Sequence, residues 1–303
     1  MKAIVIHQYG GADQLKYETV PDPRPKIGEV LVRLAATSVN PIDFKVRSGA
    51  VQAYFQAQFP LILGRAAAGT VAELGPGVSA FKVGDRVMAL TNQTYAELVA
   101  IKVHDLAHIP DGLDTMQAGA IPLVTLTGEQ LITRGVKPSA GQTVLVTGAI
   151  GGVGRSAVYA LKNAGAKVIA GVRESQIEEA QELGADDIIS LEDEEQMKKH
   201  APYDGVADTV GHETAAKLLG MVKPGGTFAS VLGEPSNRKE HPEVNVVPIR
   251  VVEDGAELEK LAQAVKDGKL RIPVGATLPL EKMAEAHHLA EKGGIGKVLI
   301  TIG

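Results

Sequence analysis

Cysteine is absent from this sequence of 303 residues. The chain therefore cannot form disulfide bonds, cannot use a thiol nucleophile and cannot build a cysteine-ligated metal site. Apolar runs long enough to cross a membrane are also missing. The N-terminal MKAIVI leads directly into a strand-like pattern, without the charged segment, apolar core and cleavage site of a secretory leader. We therefore expect a cytoplasmic protein with no membrane partner.

An excess of charge of one sign is missing as well. The 31 Lys and Arg are nearly balanced by 36 Asp and Glu, and the net charge of −5 is spread without long blocks. This pattern gives no electrostatic reason to expect a nucleic-acid partner. The length and the 45% hydrophobic content are typical of a globular protein with two cores of ordinary domain size.

Up to about residue 120 the pattern predicts a β-rich domain, because short strands alternate with Gly and Pro clusters. Such spacing is typical of a barrel or a sandwich-like sheet. The predicted strands are Lys2–Ile6, Glu29–Ala36, Gly69–Glu73, Arg86–Ala89 and Tyr95–Ile101. Asp114 follows as a predicted N-cap, with Gln117 at the capping-box position of a helix that extends to Ala120.

From Thr143 onward, strands and helices alternate, which predicts a parallel, doubly wound α/β sheet. The predicted strands are Thr143–Thr147, Lys167–Val172, Asp187–Ser190, Gly205–Val210 and Thr227–Leu232. The predicted helices are Gly152–Ala164, Gln176–Leu183 and Glu213–Met221, then one through Leu258, Leu261, Ala262 and Val265, and finally Glu281–Glu291. The last strand, Lys297–Ile302, has no helix after it, so we expect it to return to the N-terminal β-rich domain.

The segment from Thr143 to Arg155 predicts a dinucleotide-binding loop. Ala149, Gly151 and Gly154 occupy the three small-residue positions of the GxGxxG pattern, between a buried strand and a helix. The first position permits a tight turn, the second lets a pyrophosphate approach the backbone, and the third lets the helix pack on the strand. Free N–H groups at the start of the helix would then meet the phosphates.

The end of the second strand of this unit indicates which nicotinamide is used. An NAD enzyme usually has an acidic residue there, bonded to the ribose 2′-hydroxyl. Here Val172 takes that position and Arg173 follows, and a guanidinium can bind a 2′-phosphate bidentately. This favours NADPH. Two alternatives stay open: a shift of one residue would make Glu174 the ribose ligand, or Arg173 is only a solvated loop residue.

Several segments in order resemble the medium-chain dehydrogenase superfamily, in particular its zinc-independent, quinone oxidoreductase-like branch. The resemblance covers nearly the whole chain. The matching segments are Ser38–Gly49, Leu63-Gly64 with Ala68-Gly69, Gly84–Val87, Ile121–Thr127, Gly148–Gly154, Asp208–Gly211 and Gly296–Leu299.

The resemblance implies a GroES-like catalytic domain formed by residues 1–121 and 266–303, and a Rossmann domain formed by residues 122–265. It implies that the nicotinamide lies between the domains, near Asn40 and Thr127. Together with the loop and the strand end described above, it gives the residues expected at the cofactor, which are Asn40, Thr127, Gly148, Ala149, Ile150, Gly151, Gly152, Val153, Gly154, Arg173, Asp208, Thr209, Val210, Gly211, Ser230, Val231, Leu232 and Lys297. It also implies a homodimer, for which the apolar strand 244–249 offers a sheet edge.

The sequence departs from the family pattern at the substrate side. Ala66 stands where relatives often have an acidic residue, two positions after Gly64. Lys45 and Val51 stand where relatives that reduce quinones often carry tyrosines, and Tyr54 lies a little further on. The resemblance therefore implies a reductase of quinones or α,β-unsaturated carbonyls without naming the substrate. The alternative is an NADPH-binding sensor or structural module with little turnover.

The histidines do not form a predicted metal site. Gly211-His212-Glu213 spells the zinc-binding tripeptide of related alcohol dehydrogenases, but it follows a strand of the nucleotide-binding half. A solvated helix start is the better interpretation of that segment. His287 and His288 are adjacent on a predicted helix and therefore point to different faces, as surface or packing residues.

Without a metal, hydrogen-bond donors must stabilise the oxygen that gains charge when a hydride adds to the substrate. Asn40 is the candidate donor and Tyr54 the candidate proton source. Alternatively, Asn40 is a turn residue before Pro41 and Tyr54 is a loop aromatic that covers the core. Asp43 and Arg47 are interpreted as a structural pair.

Overall fold

The final strand of the chain pairs antiparallel with a long strand near the N-terminus, with Val298 opposite Val39 and Thr301 opposite Ala36. This return to the β-rich domain is the one that the sequence predicts. The computed structural model describes residues 1–303 and forms two units. Unit 1 comprises Met1–Leu123 and Glu253–Gly303, and unit 2 comprises Val124–Val252.

The strands and α-helices are numbered along the chain. The strands are β1 (Lys2–Ile6), β2 (Lys16–Thr19), β3 (Glu29–Val39), β4 (Leu61–Ile62), β5 (Ala66–Leu74), β6 (Arg86–Leu90), β7 (Leu98–Lys102), β8 (Leu106–His108), β9 (Thr143–Thr147), β10 (Lys167–Val172), β11 (Asp187–Ser190), β12 (Tyr203–Asp208), β13 (Val222–Ser230), β14 (Asn245–Pro248), β15 (Val274–Pro279) and β16 (Lys297–Thr301). The α-helices are α1 (Pro41–Ser48), α2 (Thr115–Ala118), α3 (Pro122–Gln130), α4 (Gly152–Asn163), α5 (Ile177–Ala180), α6 (Glu194–Lys198), α7 (His212–Leu219), α8 (Gly255–Lys266) and α9 (Met283–Lys292).

Unit 1 is built on two sheets. The smaller has the order β2-β1-β4, and the larger has the order β15-β16-β3-β5-β6-β8, with β7 also pairing β3. Alternating residues of these strands, such as Val30, Val32 and Leu34 of β3, are buried in one apolar core. The N-terminal segment is therefore β-rich, as predicted, with the strands shared between a large sheet and a small one.

Unit 2 contains one fully parallel sheet with the order β11-β10-β9-β12-β13-β14. Counted within the unit, this is the 3-2-1-4-5-6 order of a doubly wound dinucleotide-binding fold. Each strand is apolar on both faces: Val144 and Val146 of β9 pack into one core, while Leu145 packs into the other. The strand order reverses between β9 and β12, where ligands bind in such folds.

Helix α8 lies in unit 1, which moves the second boundary from the predicted 265/266 to 252/253. The helix packs on β8, and a Cβ on Gly255 would lie only 2.1 Å from the carbonyl oxygen of Leu106. Its apolar face, predicted from Leu258 and Leu261, is buried. Periodicity revealed the helix and its face but carried no information about the domain against which that face packs.

Helix α1 begins directly after Asn40. The sequence left two interpretations of Asn40, a donor to the substrate and a turn residue before Pro41. Asn40 is the N-cap of the helix, Pro41 is its first residue, and the Asp43 side chain accepts a hydrogen bond from the Asn40 backbone N–H. Proline is well suited to the first helical position because its missing N–H would have no partner there. Asn40 is therefore fixed by a helix start, in a segment that contacts α9.

Candidate functional site

The glycine-rich loop of unit 2 makes its tight turn at Gly148, which has a φ of +63°. The sequence interpretation had assigned this role to Ala149, one residue later. Ala149 is fully buried, and a side chain is tolerated there because it does not occupy the left-handed region. Gly154 has the predicted packing role, since a Cβ there would lie 2.2 Å from the carbonyl oxygen of Gly148.

The start of helix α4 presents backbone donors without acceptors. The first bond into the helix runs from the N–H of Arg155 to the carbonyl of Gly151. The N–H groups of Gly152, Val153 and Gly154 therefore have no partner within the helix. A Cβ on Gly151 would meet only the Gly148 oxygen, at 3.2 Å, which leaves room for a ligand to approach the backbone. The donors, the space and the positive end of the helix dipole fit a phosphate group.

Arg155 belongs to the support of this loop and is not directed at a phosphate. Its Nε donates to the Ile150 carbonyl at 2.8 Å, and its Nη2 contacts Glu179 Oε1 at 2.7 Å. The side chain is buried and its charge is balanced by that carboxylate. Arg155 therefore stabilises the loop through the Ile150 carbonyl.

Asp208 ties together the carboxyl ends of three neighbouring strands. Its Oδ1 accepts from Thr147 Oγ1 of β9 at 2.8 Å and from the N–H groups of Val210 and Gly211 at 3.2 and 3.0 Å. Its Oδ2 accepts from Ser230 Oγ of β13 at 2.7 Å. Asp208 and Ser230 are buried, so they shape the loops, whereas Val210 and Leu232 expose about two fifths of their surface. Of the residues predicted to line a cofactor here, Val210 and Leu232 therefore offer the contact surface.

Strand β10 ends at the buried Val172, and the next two side chains point into solvent. The guanidinium of Arg173 has no hydrogen-bond or ion-pair partner, while its backbone N–H donates to Gln176 Oε1 at 3.2 Å. The backbone N–H of Glu174 donates to Glu192 Oε2 at 3.0 Å. An unpaired cation and nearby carboxylates thus share this strand end.

In unit 1, Asn40 is completely buried and its amide is already engaged. Its Nδ2 donates to the Ser38 carbonyl at 2.9 Å, and its Oδ1 accepts from the ammonium group of Lys297. Lys297 also donates to the Val39 carbonyl at 2.8 Å, and its third N–H has no partner. Burial lowers the pKa of Lys297 to about 8, although the nearby Asp43 carboxylate raises it. A direct bond from Asn40 to a substrate is thus disfavoured, and Lys297 holds the free donor.

Asp43 and Arg47 do not pair directly, contrary to the sequence interpretation. Asp43 Oδ2 accepts from Tyr95 OH at 2.9 Å and from the Asn40 N–H at 2.8 Å. Burial raises the pKa of Asp43 to about 6, while these two hydrogen bonds lower it. Arg47 instead contacts Glu291 Oε1 at 2.6 Å and His287 Nδ1 at 2.9 Å.

The remaining predicted residues lie at separate places. Tyr54 follows α1 in a turn and exposes 76% of its surface, so it does not cover the core of unit 1. Thr127 is nearly buried in the part of α3 that belongs to unit 2. His212 begins α7, exposed to solvent, and no group of three or more His, Cys, Asp or Glu side chains in the chain can hold a metal ion.

No helix is long and apolar enough to cross a membrane.

Asp43, Arg47, Tyr95 and His287 form the polar cluster of unit 1. The sequence did not predict Tyr95 and His287 as members of this cluster. His287 is fully buried, whereas the side chain of its neighbour His288 is 70% exposed, which confirms that the two point to different faces. The only signal was that one face of α9 had to be buried. No sequence pattern could show that His287, on this face, contacts Tyr95, which lies 192 positions earlier in the chain.

Comparisons with known proteins relate the chain to the alcohol dehydrogenases. Residues 26–111 match the family model of the alcohol dehydrogenase GroES-like domain, and residues 183–300 match the zinc-binding dehydrogenase model. The chloroplast envelope quinone oxidoreductase homolog of Arabidopsis thaliana is 30% identical, with 99% of this chain and 98% of the relative covered.

Solved structures show the same fold. The quinone oxidoreductase from Coxiella burnetii superposes with a TM-score of 0.90 at 28% identity, covering 100% of this chain and 99% of that one. A mycobacterial protein whose structure was determined in complex with NADPH gives a TM-score of 0.86 at 27% identity, covering 99% and 100% of the two chains.

Proposed function

Because the chain belongs to the zinc-independent, quinone oxidoreductase-like branch of the medium-chain dehydrogenases and reductases, we propose that it is an NADPH-dependent reductase of quinones or α,β-unsaturated carbonyls. The observation that carries the proposal is the row of unpaired N–H groups at Gly152–Gly154. It follows the central strand of a 3-2-1-4-5-6 sheet, beside the point where the strand order reverses. These donors suit the pyrophosphate of a dinucleotide.

Residues of unit 2 would hold the cofactor. The loop from Gly148 to Gly154 would bind the pyrophosphate, and the free guanidinium of Arg173 would bind the 2′-phosphate that distinguishes NADPH from NADH. The segments 208–211 and 230–232, fixed by the Asp208 carboxylate, would support the nicotinamide half together with Thr127. The NADPH complex of the mycobacterial relative supports this choice of cofactor.

The bound cofactor supplies a hydride for an electrophilic carbon, and the protein must stabilise the charge that develops on the substrate oxygen. Lys297 is suited to this because its third N–H is free and its other two are fixed by Val39 and Asn40. We assign to Asn40 the orientation of Lys297, in place of the direct donor role that the sequence predicts. Tyr54 would supply the proton or exclude water.

The competing hypothesis is an NADPH-binding sensor or structural module with little turnover. The absence of the expected tyrosines at Lys45 and Val51 favours it, whereas the fixed Lys297 donor and the enzymatic relatives favour catalysis. The two hypotheses differ in one measurable quantity, the rate of cofactor oxidation.

The test is NADPH oxidation against a panel of quinones, enals and saturated ketones, with and without a strong chelator. We expect turnover with quinones or enals, little with saturated ketones, and no effect of the chelator. Tight NADPH binding without turnover on any acceptor would favour the sensor. Loss of activity with the chelator, restored by zinc, would contradict the metal-free mechanism.

A further inference from the structure

Four buried side chains of unit 1 form a continuous hydrogen-bonded relay: Arg47, His287, Tyr95 and Asp43. Arg47 Nη1 lies 2.9 Å from His287 Nδ1, His287 Nε2 lies 3.2 Å from Tyr95 OH, and Tyr95 OH lies 2.9 Å from Asp43 Oδ2. All four are less than 5% exposed. The relay ends at the backbone N–H of Asn40, whose side chain orients Lys297.

The positions of the protons follow from the chemistry of the partners. A guanidinium can only donate, so Nδ1 of His287 must accept from Arg47. The ring is then neutral with its proton on Nε2, which donates to the oxygen of Tyr95. The hydroxyl of Tyr95, having accepted this bond, donates to the Asp43 carboxylate. The relay therefore runs in one direction, from Arg47 toward Asp43.

The surroundings of His287 keep its ring neutral. Burial is the main cause that lowers its pKa to about 3, and the positive charge of Arg47 and the neighbouring His288 add to the effect. Glu291, on the same helix, is bonded to Arg47 and not to His287. The rings of Phe44 and Tyr95 face His287 edge-on, at centroid distances of 6.5 and 5.7 Å. No carboxylate contacts the ring to favour its protonation.

We propose that His287 and Tyr95 are positioning residues for the reduction reaction, which act through Asp43 to hold Asn40 and the Lys297 donor in place. The proposal rests on the proposed function, which assigns to Lys297 the contact with the substrate oxygen. Tyr95 supplies one of the two hydrogen bonds to Asp43 Oδ2, and the other comes from the N–H that begins α1. The relay thereby fixes the orientation of that carboxylate and keeps it charged beside Lys297.

The first test is Tyr95→Phe, which removes only the hydroxyl. We expect kcat to fall about tenfold, since a hydrogen bond to a charged group is worth roughly that factor, while KM for the cofactor stays unchanged. The acid limb of the kcat profile should move to higher pH, because Asp43 loses a bond that lowers its pKa. His287→Ala should shift the limb in the same direction by a smaller amount, because Tyr95 can still donate to Asp43.

The matched control is Tyr203→Phe in unit 2. Tyr203 is also fully buried and its hydroxyl also donates a hydrogen bond, to the Met197 carbonyl. The two variants should therefore lose similar stability, and only Tyr95→Phe should change kcat and its pH profile. Equal effects of both variants on kcat, or an unmoved acid limb in Tyr95→Phe, would overturn the proposal.

A second readout does not depend on turnover and separates this proposal from the proposed function. Nitrogen-15 NMR of the histidine rings should show His287 in the Nε2–H form, with no titration between pH 5 and 8. Carbon-13 NMR should show that Asp43 titrates at higher pH in Tyr95→Phe than in the parent chain. If the parent chain reduces no acceptor but these shifts are observed, the relay stands and the proposed function fails. A protonated or Nδ1–H His287 would overturn the relay itself.

Discussion

The ammonium group of Lys297 donates a hydrogen bond to Oδ1 of Asn40, joining residues that lie 257 positions apart. This contact links the last strand of the chain to the start of α1, and the roles that we propose for both residues rest on it. Asn40, which the sequence predicts as a donor to the substrate, accepts a hydrogen bond from a lysine that retains one free N–H. The first prediction concerns this pair.

Lys297→Met should lower kcat by about 10²–10³, the usual effect of removing an oxyanion donor. Asn40→Ala should also lower kcat substantially, because Lys297 loses a partner, and Tyr54→Phe should have the smaller effect, because water can replace a tyrosine as proton source. Lys292→Met, an exposed change on α9, serves as the control. Full turnover by Asn40→Ala together with an inactive Tyr54→Phe would show that the roles are wrongly assigned.

Cofactor selectivity is expected to depend on Arg173. Arg173→Ala should weaken NADPH binding roughly ten- to hundredfold, as expected for loss of a charge-assisted contact, and should leave NADH binding nearly unchanged. Isothermal titration with both nucleotides measures this. Glu174→Ala is the matched variant: if it weakens NADH binding while Arg173→Ala affects neither nucleotide, Glu174 is the ribose ligand and NADPH is not preferred.

The buried His287 should make stability depend on pH. Its folded-state pKa of about 3 lies below the unfolded value of 6.5, so the unfolded chain binds the extra proton between these values. As the pH falls from 6.5 toward 3, the parent chain should lose about 1.4 kcal/mol of unfolding free energy per pH unit relative to His287→Gln. The raised pKa of Asp43 acts in the opposite direction in both proteins, so most of its effect cancels in the comparison. Urea unfolding at several pH values should show this slope, and a difference that does not vary with pH would mean that His287 is not held neutral.

We propose a homodimer through the open edge of the sheet in unit 2. Strand β14 is the last in the sheet order, and its Val246 and Val247 are half-buried. An apolar edge of this kind invites pairing with a second copy, although Pro248 at its end limits the pairing. Light scattering at micromolar protein should give twice 31.7 kDa, and Val246→Lys should give a single copy with an unchanged circular dichroism spectrum. A parent chain that scatters as a monomer would refute the proposal.

The part of the chain in which strands and helices alternate was the more predictable part of the fold. Strands β9, β10 and β11 have the predicted bounds, because each is a short apolar run that follows a turn with a glycine. Helices α1 and α3 were not predicted. Both begin at a proline, which in a sequence usually indicates a turn or a break. The domain that α8 joins was also misplaced, since an apolar face is the same signal whichever unit buries it.

The candidate site also has one part that the sequence predicts and one part that it does not. The phosphate loop was predictable because its glycines are needed locally, although the turn belongs to Gly148 and not to Ala149. The polar cluster of unit 1 was not predictable, because Asp43, Tyr95 and His287 come from three distant segments. Their partners depend on how strands and helices pack, and a single sequence does not encode that packing in any short pattern.

The central claim is that the chain transfers a hydride from NADPH to a conjugated acceptor, and isotope transfer tests it most directly. The two epimers of NADPH deuterated at C4 are each incubated with the enzyme and an enal, and the reduced product is examined by mass spectrometry. One epimer should place one deuterium on the β-carbon of the product and the other none, with the second hydrogen supplied by solvent. A product without deuterium from either epimer, or no reduction of any quinone or enal, would contradict the account.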